Sequence, residues 1–166
     1  SCGQIILSNV EKMKQKTFSN AQLLPEVVKM LNEGHTVTLP LKGYSMRPFL
    51  ENGRDKALLK KVQHIKKGDP VLAEVQPGHY VLHRIVAIHG DRVVLCGDGN
   101  LANEYCRCED VRASVVGFYR KGRTALDCID GRKWRIYSAI WVHLRPFRRL
   151  LLGVYRRFWI KYFGAL

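Results

Sequence analysis

No stretch of this chain reaches the roughly 18 consecutive apolar residues that a membrane-spanning helix needs. The opening run Ser1-Cys2-Gly3-Gln4-Ile5-Ile6-Leu7-Ser8 is also too short in apolar residues for a secretion signal. Acid is scarce: 14 Asp and Glu stand against 28 Lys and Arg, a formal charge of +14, and no acidic residue follows Asp130. That imbalance predicts an anionic partner, either nucleic acid or an acidic membrane surface. A glycine-rich phosphate loop of Walker or dinucleotide type is missing, so no nucleotide cofactor is expected. The five cysteines (Cys2, Cys96, Cys106, Cys108 and Cys128) are odd in number, and Cys106-Arg107-Cys108 is too tight for an ordinary bridge. Neither they nor His35, His64, His79, His89 and His143 show zinc-ligand spacing, so no metal is assigned. Reduced thiols in a cytosolic compartment are expected instead.

What is present describes a globular protein. The 166 residues are 46% apolar and 25% charged, enough for one domain with a buried core and room for an appendage. Residues 1–20 read as a loosely held arm with the short Ile5-Ile6-Leu7 run, a candidate edge strand. Asn20 can cap a helix starting at Ala21, with Pro25 in its first turn and Gly34 past its end. Leu23, Leu24, Val27, Val28 and Leu31 give that helix an apolar face.

From His35 the hydrophobic period becomes two. Strands are predicted near 35–42, 56–62, 70–76, 79–89, 91–97 and 111–120, with turns at Asn52-Gly53, Gly68-Asp69-Pro70, Pro77-Gly78 and Gly90-Asp91. The spacing indicates a coiled all-β domain over residues 21–137. Arg123 to Tyr137 reads as a further hairpin turning at Asp130-Gly131. Beyond it, residues 138–166 interleave arginines with Ile140, Trp141, Leu144, Phe147, Leu151, Val154, Phe158 and Tyr162 at three- and four-residue steps. This is the pattern of a basic amphipathic helix, broken near Pro146. Three roles fit it: packing on the β domain, binding nucleic acid, or lying on an anionic bilayer. Its aromatic and leucine content favours the bilayer over the phosphate groove.

The chemistry concentrates at Gly43-Tyr44-Ser45-Met46-Arg47-Pro48-Phe49, directly after the β-like run Thr36-Val37-Thr38-Leu39. Gly43 lets backbone approach a ligand closely, and Pro48 fixes its own φ and restrains Arg47. Such a corner can present the Ser45 hydroxyl beside free backbone N–H groups of Gly43, Tyr44, Ser45 and Met46, as an acyl-transfer nucleophile requires. Asp55, after Asn52-Gly53-Arg54, reads as a residue that holds the loop.

Gly-Tyr-Ser-Met-Arg-Pro resembles the nucleophile box of the signal peptidase I and LexA-like serine peptidases. Two more boxes occur in that superfamily's order: Tyr80-Val81-Leu82-His83-Arg84-Ile85-Val86 resembles its general-base strand, and Leu95-Cys96-Gly97-Asp98-Gly99-Asn100 resembles its acid-bearing loop. The likeness covers about residues 35–120. It implies a mainly β, signal peptidase/LexA-like catalytic domain, with an N-terminal helix and a basic amphipathic C-terminal helix. It further implies a serine endopeptidase that cleaves an extended leader or signal-like peptide after small side chains. Histidine at the base position resembles the archaeal and endoplasmic-reticulum branch. Neutral near pH 7, it accepts a proton without the burial that lysine needs.

The resemblance assigns Ser45 as nucleophile, His83 as base and Asp98 as the carboxylate that orients it. The histidine branch often carries an acid further on, so Glu104 and Asp110 are alternatives to Asp98. The oxyanion hole would use the Ser45 backbone N–H, and Gly43 stands where many signal peptidases add a side-chain hydroxyl, which matches the LexA-like pattern better. Signal peptidases usually carry an N-terminal membrane anchor, and none is read here. The basic tail and reduced thiols point instead to a peripheral protein on the cytoplasmic membrane face. Two other functions stay open: a LexA-like self-cleaving module, for which Cys2-Gly3 is the only suitable site before Ser45, and a non-catalytic membrane- or nucleic-acid-binding protein on the same scaffold.

Overall fold

A computed structural model describes residues 20–163. The arm read at the N-terminus, with its Ile5-Ile6-Leu7 run and the Cys2-Gly3 site, lies outside the described residues apart from Asn20. Helix α1 (Asn20–Asn32) follows its apolar spacing: Leu24, Val27 and Leu31 are buried in the main core. Gly34 at φ 93° takes the left-handed conformation that ends a helix cheaply. Pro25 falls inside the helix, one turn later than expected.

Eight antiparallel strands follow: β1 (Val37–Pro40), β2 (Lys56–Lys60), β3 (Pro70–Gln76), β4 (His79–His89), β5 (Arg92–Cys96), β6 (Glu104–Arg107), β7 (Val111–Tyr119) and β8 (Leu126–Cys128). Their order in the sheet is β1-β2-β7-β3-β4-β5-β6, with β8 also paired to β7. Register breaks between Leu58 and Leu59, Leu72 and Ala73, Glu74 and Gln76, and Ile85 and Ala87 mark bulges. Bulges bend the strands that carry them and raise local twist. The protein is therefore mainly an antiparallel β-sheet with a few helices, and six of its strands lie where the period of two placed them.

The hairpin expected across Arg123 to Tyr137 is corrected. Asp130-Gly131 does turn the chain, but α2 (Arg132–His143) starts immediately after it. Trp134, Tyr137 and Trp141, three and four residues apart, form a helical stripe that packs on the sheet, and their burial overrides the turn signal. A short 3₁₀ turn, Arg145–Phe147, contains Pro146, and α3 (Arg148–Val154), a π-helical turn (Tyr155–Trp159) and α4 (Ile160–Phe163) continue from it. Among the described residues no helix is long and apolar enough to cross a membrane.

The largest core cluster joins α1 to Met46, Phe49 and Leu50 of the turn after β1, to Ala57 and Leu59 of β2, and to Ala113, Val115 and Phe118 of β7. A second gathers Val71, Ala73, Ile85, Val93, Leu95, Cys106 and Val111 between β3, β4, β5, β6 and β7. Ser45 enters from the side of the first cluster, and His83 stands on the strand that flanks both.

Candidate active site

The turn over residues 43–50 hangs between β1 and β2, and three of its side chains anchor it. Met46, Phe49 and Leu50 are buried, while Tyr44 points to solvent and carries the Arg47 guanidinium 4.0 Å above its ring. Gly43 takes φ 85°, which a residue with a Cβ rarely adopts, and its N–H donates to Asn52 Oδ1 at 2.9 Å. Asp55 is wholly buried and accepts from the backbone N–H of Glu51 at 2.8 Å and of Lys121 at 2.9 Å, as well as from Arg54. Burial pushes its carboxyl up, but Arg54 and those N–H groups outweigh the effect and hold it below its ordinary value. Asp55 is thus the tie of the Ser45 loop. No described residue accepts a hydrogen bond from the Ser45 or Met46 N–H, so both remain available for an oxyanion.

The sheet register brings His83 to Ser45. Arg84 pairs with Cys96 and Ile85 with Leu95, which sets Gly97 beside His83 at the end of β5. A Cβ at Gly97 would stand 3.0 Å from His83 Nε2, 3.0 Å from Ser45 Cβ, and in collision with Ser45 O. Both side chains therefore converge on the space that glycine leaves empty. Gly99 does the same for the neighbouring backbone: its N–H donates to Ser45 O at 2.7 Å, and a Cβ there would strike Tyr44 O.

Alternation then sorts the carboxylates. Successive strand residues point to opposite faces, and directly paired residues share a face. His83 and Ile85 share theirs with Leu95, and Leu95 pairs with Glu104 of β6. Glu104 Oε2 accordingly lies 2.6 Å from His83 Nδ1, and neither atom is solvent-exposed or has another partner among the described residues. A carboxylate on Nδ1 selects the tautomer whose Nε2 lone pair is free on the Ser45 side. Burial lowers the His83 pKa, and the charge and hydrogen bond of Glu104 only partly restore it, so the ring is neutral at pH 7.

Arg84 and Cys96 occupy the opposite face, and the chain beyond Cys96 delivers Asp98 there. Arg84 Nε donates to Asp98 Oδ1 at 2.9 Å and Nη2 to Oδ2 at 2.7 Å, with both side chains fully buried. Its remaining nitrogen, Nη1, donates to Gly68 O and to Ser138 Oγ. Tyr137 adds a hydrogen bond to Asp98 Oδ2, and Trp141 Nε1 donates to Asp98 O at 3.2 Å. Asp98 acts on His83 only as a more distant charge. Asp110 lies elsewhere, accepting from the Arg107 N–H and facing Arg112 at 3.7 Å.

Of the residues singled out in the sequence, the structure thus gathers Ser45, His83 and Glu104, and directs Asp98 to Arg84. Reasoning from sequence missed Arg84, whose only signal was its place next to His83 with the opposite parity. It also missed Arg148 and Arg156, which hold the Asp98 loop from the far end of the chain. Arg148 Nη1 donates to Cys96 Sγ, Gly97 O and Asn100 O, and Arg156 Nη2 donates to Gly99 O at 2.9 Å.

Among the described residues no group of three or more metal-ligating side chains occurs, and Cys106 and Cys108 are free thiols. No family model and no curated protein matches the chain.

Proposed function

We propose that this protein is a serine endopeptidase of the signal peptidase/LexA-like kind, with Ser45 as nucleophile, His83 as general base and Glu104 as the residue that orients the base. One observation carries the reading: Ser45 and the Nε2 edge of His83 meet over Gly97, while a carboxylate occupies Nδ1. Ser45 Oγ attacks the scissile carbonyl as Nε2 takes its proton; the imidazolium, held by Glu104, returns that proton to the leaving amine, and water then releases the acyl group by the same route. Two backbone edges suit an extended peptide. Among the described residues β1 is paired only to β2, and the Tyr80-Val81-Leu82 part of β4 is paired only to β3, since β5 starts its pairing at Arg84. A peptide added as a strand would bring its carbonyls past Ser45. The bulged antiparallel sheet and the order of the three boxes support the catalytic domain of that superfamily as the fold.

The test is covalent labelling with a fluorophosphonate or a penem, followed by peptide mapping. Labelling at Ser45 that disappears in Ser45→Ala and drops steeply in His83→Ala is expected. A folded protein without Ser45-dependent labelling by either probe would overturn the reading and leave a binding protein on this scaffold.

A further inference from the structure

The large apolar side chains left in solvent are distributed very unevenly. Among the described residues Met30, Tyr44, Leu101 and Tyr105 are exposed on the β domain, against Ile136, Ile140, Phe147, Leu150, Val154, Phe158, Trp159 and Tyr162 on the helical segment that starts at Arg132. In the last part of it Leu150, Val154, Phe158 and Tyr162 recur every four residues and are 68%, 50%, 54% and 67% exposed. The opposite side of the same helices is committed: Arg148, Leu152 and Tyr155 are buried, and Arg148 and Arg156 are hydrogen-bonded to the Gly97–Asn100 loop. The segment is therefore fixed to the domain by one face and presents a second apolar face outward. Contiguous exposed apolar surface of this kind marks an interaction site.

Charge decides what covers it. Arg149, Arg157 and Lys161 are exposed around the stripe, and the chain from residue 131 to 166 holds nine Lys and Arg with no acid. A second copy of a chain with formal charge +14 brings like charge, and residues 1–19 carry three lysines against one glutamate. A nucleic acid duplex matches the charge and leaves the apolar face in water. An anionic bilayer matches both, burying the leucines and aromatics at the headgroup boundary while arginines meet the lipid phosphates. We propose that residues 132–163 dock the protein onto an anionic bilayer, lying in the plane of its surface. Because Arg148 and Arg156 tie this segment to the loop beneath Ser45, docking holds the candidate site beside the bilayer. The proposal stands whether or not Ser45 is a nucleophile.

Co-sedimentation of the full chain with vesicles of equimolar phosphatidylglycerol and phosphatidylcholine, compared with phosphatidylcholine alone, tests it. Binding to the anionic vesicles is expected, equal in wild type and Ser45→Ala. The combined Leu150→Glu, Val154→Glu and Phe158→Glu variant loses about a hundredfold or more of that affinity, since three apolar anchors are removed. Arg149→Gln with Arg157→Gln loses about fivefold per charge. Quenching of wild-type tryptophan fluorescence by brominated anionic lipid gives a reading that needs no variant. Absence of both sedimentation and quenching, equal binding to neutral vesicles, or anionic binding that survives the glutamate substitutions in a folded protein would each overturn the proposal. So would a nucleic acid duplex that displaces the vesicles.

Discussion

On one face of the β4–β5 pair Asp98 meets Arg84 with both side chains at 0% exposure, and on the other Glu104 meets His83 with the glutamate still 34% exposed. The first pair is saturated. Each Arg84 nitrogen has an acceptor, and the Asp98 carboxylate receives Arg84 and Tyr137. Its protons have nowhere to go, and the cation–π contact with Trp134 at 4.9 Å and the overlying α2 seal it. The second pair leaves one histidine nitrogen open toward a serine. A buried ion pair with every hydrogen bond made is a structural device; a pair with one unsatisfied proton acceptor at a cleft can do chemistry. The two differ by one residue of strand parity.

The sharpest way to break this contrast is to remove each carboxylate in turn. Glu104→Gln removes the charge that holds the imidazolium and allows the wrong tautomer, so the rate of Ser45 labelling should fall by on the order of 10⁴ with little change in melting temperature. Asp98→Ala should do the reverse. It leaves Arg84 buried and unpaired, which costs about 3–5 kcal/mol of stability by urea unfolding, while the labelling rate of the molecules that remain folded stays within a few-fold. Loss of labelling in a folded Asp98 variant, with Glu104→Gln unaffected, would swap the two roles. Gly97→Ala comes next. Its methyl group collides with Ser45 O and crowds His83 Nε2, so labelling should drop about 10²-fold with a destabilisation of about 1–3 kcal/mol.

The smallest effect separates the carboxylates by pH. Burial depresses the His83 pKa, so the acid limb of the labelling rate should lie below about 6.5, the ordinary histidine value. Glu104 raises that pKa more than Asp98 does, so Glu104→Gln should move the limb further toward acid than Asp98→Asn. The same depression links to folding: the contribution of His83 is complete above about pH 6.5 and is lost as pH falls from there through the folded value. A limb that moves upward in Glu104→Gln would contradict the assigned pairing.

Much of the sheet was legible because its signals are local. The period of two from Pro70 to His89, interrupted by Pro77-Gly78, delimits β3 and β4 to the residue. β6 escaped because Glu104-Tyr105-Cys106-Arg107 is short and polar on one side, and it becomes a strand only by pairing with β5. β8, three residues long, depends on β7 in the same way. The Asp130-Gly131 turn was visible, but not what followed, since the pull of Trp134, Tyr137 and Trp141 toward the Arg84–Asp98 pair is a long-range effect. Ser45 and His83 could be named beforehand by their boxes. For the carboxylate the resemblance put Asp98 first, whereas the structure sets Glu104 against His83 and Asp98 against Arg84.

By itself, then, the order of residues settled the alternating strands, the α1 face, the serine corner and the excess of positive charge, because each rests on spacing within a dozen residues. Folding alone decided which acid stands against the imidazole and which face of the terminal helices is left to solvent. The second follows from the hydrogen bonds of Arg148 and Arg156 to the Gly97–Asn100 loop. The first follows from the pairing of β4 with β5 and β5 with β6, and register is a property of strands brought together, in which a shift of one residue exchanges every side chain between the two faces.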